Sequence, residues 1–395
     1  MGKKKVMAEQ SLKDKMVKVL HVIKDDKFFD STIETFEADK RLANRCVLIV
    51  DTPNYNFKFI KSRDKVKLLF GKEKIKKELS GDYDVIYFHS IMINQYRFFK
   101  YIPDDKIVIW WCWGFELYSS VKGMKPLLPM PLYRLRTRQY IGQTKNLSRV
   151  IKDLAKKVLN SCVWTYRRNK VLMRVDYFQP VLPIEYSLLK INRHFKAQEF
   201  YSNRSLDVFC DDTTQYGKGN ILFGNSASYT NNHLDVWERI RKYVPSESEV
   251  FVPLNYGYDG YAEGITDVIE DKGLKVSILR TFLPKEEYFS LLESCSFAIF
   301  GILRQQAMGN IYFCVQHGIK VFLYKDSMIY KYLSDAGYIV FTIEDVNIDS
   351  FRVPLTEEQI AQNRSALRKD AEYRNSIYEK VIGEIIEKKN GYESR

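Results

Sequence analysis

From residue 16 onward the chain alternates short β-branched or aromatic runs with longer amphipathic stretches, and it does so in two successive series. Strands and crossover helices of a parallel sheet read this way. In the first series residues 17–23, 46–50, 85–88 and 106–111 read as strands, with a helix over 72–79. A basic stretch then reads as helices, broken at its start by Pro126, Pro129 and Pro131, and residues 175–182 close the half at Pro183. The second series opens with runs at 207–210 and 220–223. It continues as helix 231–243, strand 249–253, helix 261–272, strand 275–278, helix 285–294, strand 297–303, helix 309–317 and strand 320–324. Residues 356–388 form one long periodic segment, charged on one face.

Two series fit 395 residues, because single cores stop growing at about 250–300 residues. The boundary falls in the polar stretch 194–205, near residue 195. The expected organisation is a mobile leader over 1–15 of no catalytic consequence, domains over 16–195 and 196–355, and a closing helix over 356–395. Two doubly wound α/β units bind ligands outside the carboxyl ends of their strands, so two facing units place a cleft between them. Attention therefore goes to the residues that follow strands.

The charge is uneven. Of a net +13, the segment from Lys122 to Arg174 carries fourteen basic side chains against one acid, Asp153. A field of this kind recruits an anionic partner: a phosphate-bearing small molecule, nucleic acid or an anionic membrane. Six cysteines, at 46, 112, 162, 210, 295 and 314, form no C-x-x-C pair, and only five histidines are present. The expectation is reduced thiols and no structural zinc. The longest uncharged apolar runs, 107–115 and 295–303, have nine residues, against about 20 needed to cross a bilayer. Lys3, Lys4 and Lys5 are followed by no apolar stretch, which argues against a signal peptide.

Four places could carry chemistry. Gly224-Asn225-Ser226 follows the strand 220–223 and precedes a helix, so small residues and free N–H groups meet a positive helix end that suits phosphate. An ordinary turn with Thr230 as N-cap is the plain alternative. Arg304-Gln305-Gln306 precedes the helix start at Gly309 and Asn310, and gathers a guanidinium and two amides without a carboxylate. Those groups suit a diphosphate bound without metal; a solvated arginine is the alternative. In Trp110-Trp111-Cys112-Trp113-Gly114-Phe115-Glu116-Leu117-Tyr118 one carboxylate lies among large aromatics, where desolvation would raise its pKa toward general-base duty. His21 and His89 end or nearly end strands, and Asp25 follows the first strand, so each could also enter a cleft. Asp82-Tyr83-Asp84 precedes its strand and reads as a turn. No P-loop, H-E-x-x-H, G-x-S-x-G or G-x-G-x-x-G motif appears.

Taken in order, Ile221 to Ser226 with Asn232-His233, Val252-Pro253-Leu254-Asn255-Tyr256-Gly257, and Leu303 to Gln306 with Gly309 and Gln316-x-Gly318 resemble glycosyltransferase family 56. This is the family of the TDP-N-acetylfucosamine:lipid II N-acetylfucosaminyltransferase of enterobacterial common antigen synthesis. His21, His89 and Trp113-Gly114-x-Glu116-Leu117-Tyr118 are similar to its first half, with Glu116 where that pattern has Asp. The resemblance implies a GT-B fold of two Rossmann-like domains facing a central cleft. It implies an inverting transfer from a nucleoside-diphosphate sugar, such as a TDP-N-acetylated amino-deoxy sugar, with no metal or other cofactor. The acceptor would be a polyprenyl-diphosphate-linked saccharide at the cytoplasmic face of the inner membrane, with the enzyme peripheral and docked on anionic lipid through the Lys122–Arg174 segment and the apolar residues 124–133. The donor would be held by Gly224, Asn225, Ser226, Asn232, His233, Pro253, Tyr256, Arg304, Gln305, Gln306, Gly309 and Asn310. The base would be Glu116, failing it His21 or Asp25. Two rivals remain: a GT-B enzyme with a sialyl or heptosyl donor, and a basic nucleic-acid-binding protein, for which no reader module is visible.

Overall fold

The computed structural model describes residues 16–144, 154–202, 217–270 and 273–393. The expected leader over 1–15, the run at 207–210 with Cys210, and Lys145, Arg149, Lys152 and Asp153 of the basic segment lie outside the described residues. The chain forms two compact units.

The first unit holds a parallel sheet of β1 (Val17–Ile23), β2 (Leu42–Ile49), β3 (Val66–Leu69), β4 (Val85–His89), β5 (Ile107–Trp111), β6 (Tyr177–Gln179) and β7 (Gln198–Glu199). Their spatial order is β3-β2-β1-β4-β5-β6-β7. Every residue of β4 is buried, as expected of a parallel strand covered on both faces. Phe29, Ile33 and Phe36 of the helix Phe29–Ala38 recur at helical spacing and cover one face of β1 and β2. The chain order reverses between β1 and β4, which makes the carboxyl ends of those strands the switch point of this sheet.

The second unit repeats the plan with β8 (Asn220–Phe223), β9 (Glu249–Pro253), β10 (Lys275–Leu279), β11 (Cys295–Phe300), β12 (Lys320–Leu323) and β13 (Phe341–Thr342), in the order β10-β9-β8-β11-β12-β13. All the pairings are parallel, and β8 and β11 flank the switch point. Val236, Trp237 and Ile240 of the helix His233–Ile240 pack on this sheet with Tyr261, Ile265 and Ile269 of the helix Asp259–Ile269.

The division of the chain departs from a single boundary at 195 in three ways. The strand β7 lies beyond residue 195 yet pairs with β6, because the polar stretch begins with a short edge strand. Residues 130–144 belong to the second unit. There the backbone N–H groups of Arg136 and Thr137, in the first turn of the helix Leu135–Thr144, donate to the Asp235 carboxylate at 2.8 and 2.9 Å, which caps that helix from another segment. The long helix Glu357–Glu393 serves both units instead of closing over a surface. Its early part packs in the second unit, where Arg364 Nε donates to the Gln316 carbonyl at 2.9 Å. Its later part places Tyr378, Val381, Ile382 and Ile385 in the core of the first.

Candidate active site

In the second unit the segments after β8 and β11 meet at the switch point. Gly224 adopts φ +73°, and a Cβ there would stand 2.6 Å from Nε2 of His233, so both backbone and space require glycine. Its N–H donates to the Ile299 carbonyl at 2.8 Å, carrying the β8–β11 ladder one step past the strands. Beyond it a chain of side-chain hydrogen bonds joins three separate segments. Asn225 Nδ2 donates to the Tyr256 hydroxyl at 2.8 Å, Gln306 Nε2 donates to Asn225 Oδ1 at 3.0 Å, and Thr230 Oγ1 donates to Gln306 Oε1 at 2.6 Å. The bridge Ala227–Gly257 and the bond from Asn231 Nδ2 to the Ser226 carbonyl at 2.9 Å tighten the same loops.

Arg304 is half-buried in this group, with Nη1 donating to the Gln305 carbonyl at 2.5 Å, and its positive charge acts on the Tyr133 hydroxyl. Gln305 is buried, and its Oε1 has no partner among the described residues. Ala307, in the left-handed region at φ 59°, turns the chain into the helix Met308–Gln316. In that helix Gly309 is exposed with open space around it, while Asn310 Nδ2 donates to the Tyr288 hydroxyl at 2.9 Å. Pro253 is buried at the end of β9.

Two expected donor contacts turn out to be structural. Asn232, in the left-handed region at φ 50°, gives Nδ2 to the Gly301 carbonyl at 2.7 Å and takes the Arg134 N–H on Oδ1 at 2.7 Å, so its amide locks the 130–144 segment to the end of β11. His233 is fully buried against Phe223, with Nδ1 3.2 Å from the Tyr261 hydroxyl, and burial pushes its pKa down to about 3. It is a neutral packing group whose position dictates Gly224.

In the first unit the three candidate bases separate. His21 lies inside the sheet with Nδ1 2.9 Å from His89 Nε2 and Nε2 2.9 Å from Asn44 Oδ1. Burial lowers its pKa to about 4 against the opposing Asn44 bond, and burial lowers that of His89 further. With both ring nitrogens engaged, His21 has no free site for a substrate proton. Asp25 is engaged as well. Partial burial favours its neutral form, but the N–H groups of Lys58, Phe59 and Ile60, at 2.6, 3.0 and 3.1 Å, and the Tyr55 hydroxyl outweigh that and lower its pKa. Asp25 organises the loop after β2 and makes a poor base.

Glu116 retains the expected character. Gly114, at φ 89°, turns the chain from β5 into the short helix Phe115–Tyr118, and Glu116 sits in its first turn. Its Oε2 accepts the Trp113 N–H at 3.1 Å and lies 3.6 Å from the Cys112 sulfur, while Oε1 is buried without a partner among the described residues. Burial raises its pKa, with Lys24 among the groups opposing the rise. Trp113 stacks on Trp111 and on Phe28, with centroids 4.6 and 5.4 Å away.

A second carboxylate, absent from the expected set, lies close by. Glu185 is fully buried, accepts the Tyr118 hydroxyl at 2.6 Å and the Val181 and Leu182 N–H groups at 3.1 and 3.0 Å, and has its pKa pushed to about 7 by burial, with Glu116 adding to the rise. Its signal in the sequence was Pro183 followed by Glu185, the start of a capped helix. Asp82 and Asp84 are engaged with Lys18 and Lys389, in keeping with a turn.

Several cations of the basic segment are paired. Arg134 pairs with Asp326, Arg136 with Glu238, and Arg174 with Asp176. Met124 and Leu128 are buried in the first unit and Met130 packs on the core of the second, so these apolar residues of 124–133 turn inward because each unit has a core to complete. Among the described residues of the segment, exposed apolar side chains include Leu135 on the helix Leu135–Thr144 and Val163, Tyr166 and Met173 on the helix Leu154–Arg174, the last three with Arg167 and Lys170 beside them. Among the described residues no helix is long and apolar enough to cross a membrane.

The model of the family described as 4-alpha-L-fucosyltransferase glycosyl transferase group 56 matches residues 195–370. Among solved structures, the chain is similar to a glycosyltransferase from Rickettsia africae, at 11% identity and TM-score 0.57, over 95% of this chain and 97% of that one. It is also similar to an α,α-trehalose-phosphate synthase (UDP-forming) from Burkholderia xenovorans, at 8% identity and TM-score 0.53, over 93% and 99%. A third is the N-terminal domain of trehalose-6-phosphate phosphatase from Candida albicans, at 9% identity and TM-score 0.54, over 94% and 96%. Identities this low speak to the fold alone, which is the GT-B class of two Rossmann-like sheets. The chain thus has the GT-B fold, and its residues 195–370 are similar to the group 56 glycosyltransferase domain.

Proposed function

We propose that the enzyme is an inverting glycosyltransferase that moves an N-acetylated amino-deoxy sugar, such as N-acetylfucosamine, from a TDP-sugar to a polyprenyl-diphosphate-linked saccharide in surface polysaccharide synthesis. The observation that carries the donor half is the hydrogen-bonded junction at the β8–β11 switch point, where Asn225, Tyr256 and Gln306 fix three loops around Arg304 and the start of the helix Met308–Gln316. A guanidinium and backbone N–H groups offset diphosphate charge as it develops on the leaving group, and in this reading they do so in place of a divalent ion. The buried, unpartnered Gln305 Oε1 marks a polar position there that a ligand would complete.

In a single in-line displacement the acceptor oxygen bonds to the anomeric carbon as the bond to the nucleoside diphosphate breaks. Glu116 takes the acceptor's hydroxyl proton. Its desolvated carboxylate and the aromatic residues around it support that role. The exposed face of the helix Leu154–Arg174, apolar with cations beside it, supports docking on anionic lipid, where a lipid-linked acceptor resides.

Calorimetry and thermal shift with TDP, UDP, GDP and CMP test the donor half. TDP should bind most tightly, and Arg304→Ala should weaken it about 10- to 100-fold through loss of a charge-assisted bond. Glu116→Gln should bind TDP like the wild type yet transfer no sugar. Nucleotide affinity unchanged in Arg304→Ala would refute the donor assignment.

A further inference from the structure

Ser90 follows β4 at the switch point of the first sheet, the counterpart in chain order of the segment that carries Arg304 after β11 in the second. Three features set it apart. Its φ is +89°, a region that non-glycine residues rarely adopt and that stores backbone strain. The conformation is held in place, because the Ser90 N–H donates to the Trp111 carbonyl at 2.9 Å and so extends the β4–β5 ladder. Its side chain is fully buried, and Oγ completes no hydrogen bond among the described residues. A buried hydroxyl without a partner adds the cost of its lost hydration.

The group this hydroxyl approaches is Glu116, whose charge it is close enough to ease. The two oxygens of that carboxylate are held unequally. Oε2 has the Trp113 N–H and the Cys112 thiol, whereas Oε1 is buried and unpartnered. One carboxylate edge is therefore fixed and the other is left to a neighbour, and the neighbouring hydroxyl is itself unpartnered. A serine proton turns about the Cβ–Oγ bond to suit an acceptor, so this hydroxyl can donate to that edge in the free enzyme. A strained backbone that delivers an unused hydroxyl to an unused carboxylate edge fits such a contact.

We propose that Ser90 is a positioning residue for Glu116, its hydroxyl holding the Oε1 edge of the carboxylate in the orientation from which Glu116 takes the proton of the acceptor hydroxyl. The inference rests on the glycosyltransferase reading with Glu116 as base. In the step itself the acceptor proton passes to the carboxylate as the new C–O bond forms, and Ser90 keeps its own proton, donating it in a hydrogen bond throughout.

The donated bond favours the ionised carboxylate, so removing it moves the Glu116 titration to higher pH. Lys24, Cys112, Tyr96 and Glu185 also act on this carboxyl, and none is altered by a change at Ser90. The experiment compares Ser90→Ala, which loses the hydroxyl and keeps the Cβ, with Ser90→Gly, which loses both and relieves the strain. Carboxyl-¹³C NMR of Glu116 in the full chain, assigned through Glu116→Gln, reads the titration without any substrate. The pH–rate profile for transfer from TDP-N-acetylfucosamine to a lipid-diphosphate-linked saccharide reads the consequence.

Both variants should titrate about one pH unit higher than the wild type, with the acid limb of kcat/KM moved in the same direction. Transfer should fall about 10-fold or more at unchanged TDP affinity. Ser90→Gly should also melt higher than the wild type while sharing the loss of transfer. If both variants titrate with the wild type, Ser90 only shapes the backbone and the inference is overturned while Glu116 stands as base. If Glu116→Gln itself transfers sugar normally, the base assignment falls and takes this inference with it.

Discussion

Replacing Glu185 with glutamine removes a carboxylate that burial pushes to about 7 from an ordinary 4.5. A group whose folded pKa lies above its unfolded value favours folding while protonated, so its contribution is full below 4.5 and is lost as pH climbs through 7. A rise of this size is worth roughly 3 kcal/mol, most of it surrendered between pH 5 and 9. Glutamine keeps the polar contacts. Its amide oxygen can take the Val181 and Leu182 N–H groups now bound to Oε2, and its NH₂ can donate to the Tyr118 oxygen. Thermal melts of both proteins across pH 5–9 should start close together at the acid end and separate with rising pH. Glu185→Gln should be more stable at pH 8.5 by on the order of 5–10 °C, taking about 2–4 °C per kcal/mol for a unit of this size. Parallel melting temperatures across the whole range would refute the claim that Glu185 is held against its own ionisation.

Two further outcomes are expected. Gly224→Ala forces a Cβ into the left-handed region and against His233 Nε2, and should cost about 2–4 kcal/mol. The double variant with His233→Ala should recover part of that loss, and a Gly224→Ala protein that melts with the wild type would show that the tight turn is dispensable. On vesicles, flotation should rise with anionic lipid content and fall in Tyr166→Ser/Lys170→Glu; flotation indifferent to both would assign the helix Leu154–Arg174 a solvent-facing role.

The sheet strands were legible wherever apolar runs were long and bounded. The periodicity placed a strand over 17–23 and a helix over 72–79, and the structure has β1 and the helix Lys72–Leu79 at those residues. Short or mixed pieces were not. The strand β3, V-K-L-L, carries too few residues to show an alternation, and the helix Phe29–Ala38 is masked by the polar residues around Phe29, Ile33 and Phe36. At the site, loop residues after strands could be picked out because topology dictates where ligands bind. What sequence could not reveal was which of them turn inward. Asn232 and His233 stand beside Gly224 in the motif, yet one secures a remote segment and the other fills the core, since both depend on contacts with Arg134 and Tyr261 that lie far off in the chain. His21 faced the same limit, because its neutrality comes from burial beside His89 and Asn44 on two neighbouring strands. Ser90 escaped notice altogether, since a positive φ at serine leaves no trace in composition or spacing.

The shared helix Glu357–Glu393 bears on how the protein is made. Tyr378 donates its hydroxyl to Asp39 at 2.6 Å and joins Val381, Ile382 and Ile385 under β1 and β2, so the first strands of this sheet are roofed by a helix that follows the whole second sheet in the chain. Domains ordinarily fold in order as they leave the ribosome, but here the first sheet must wait, with part of that apolar face uncovered, until the helix Glu357–Glu393 has been made.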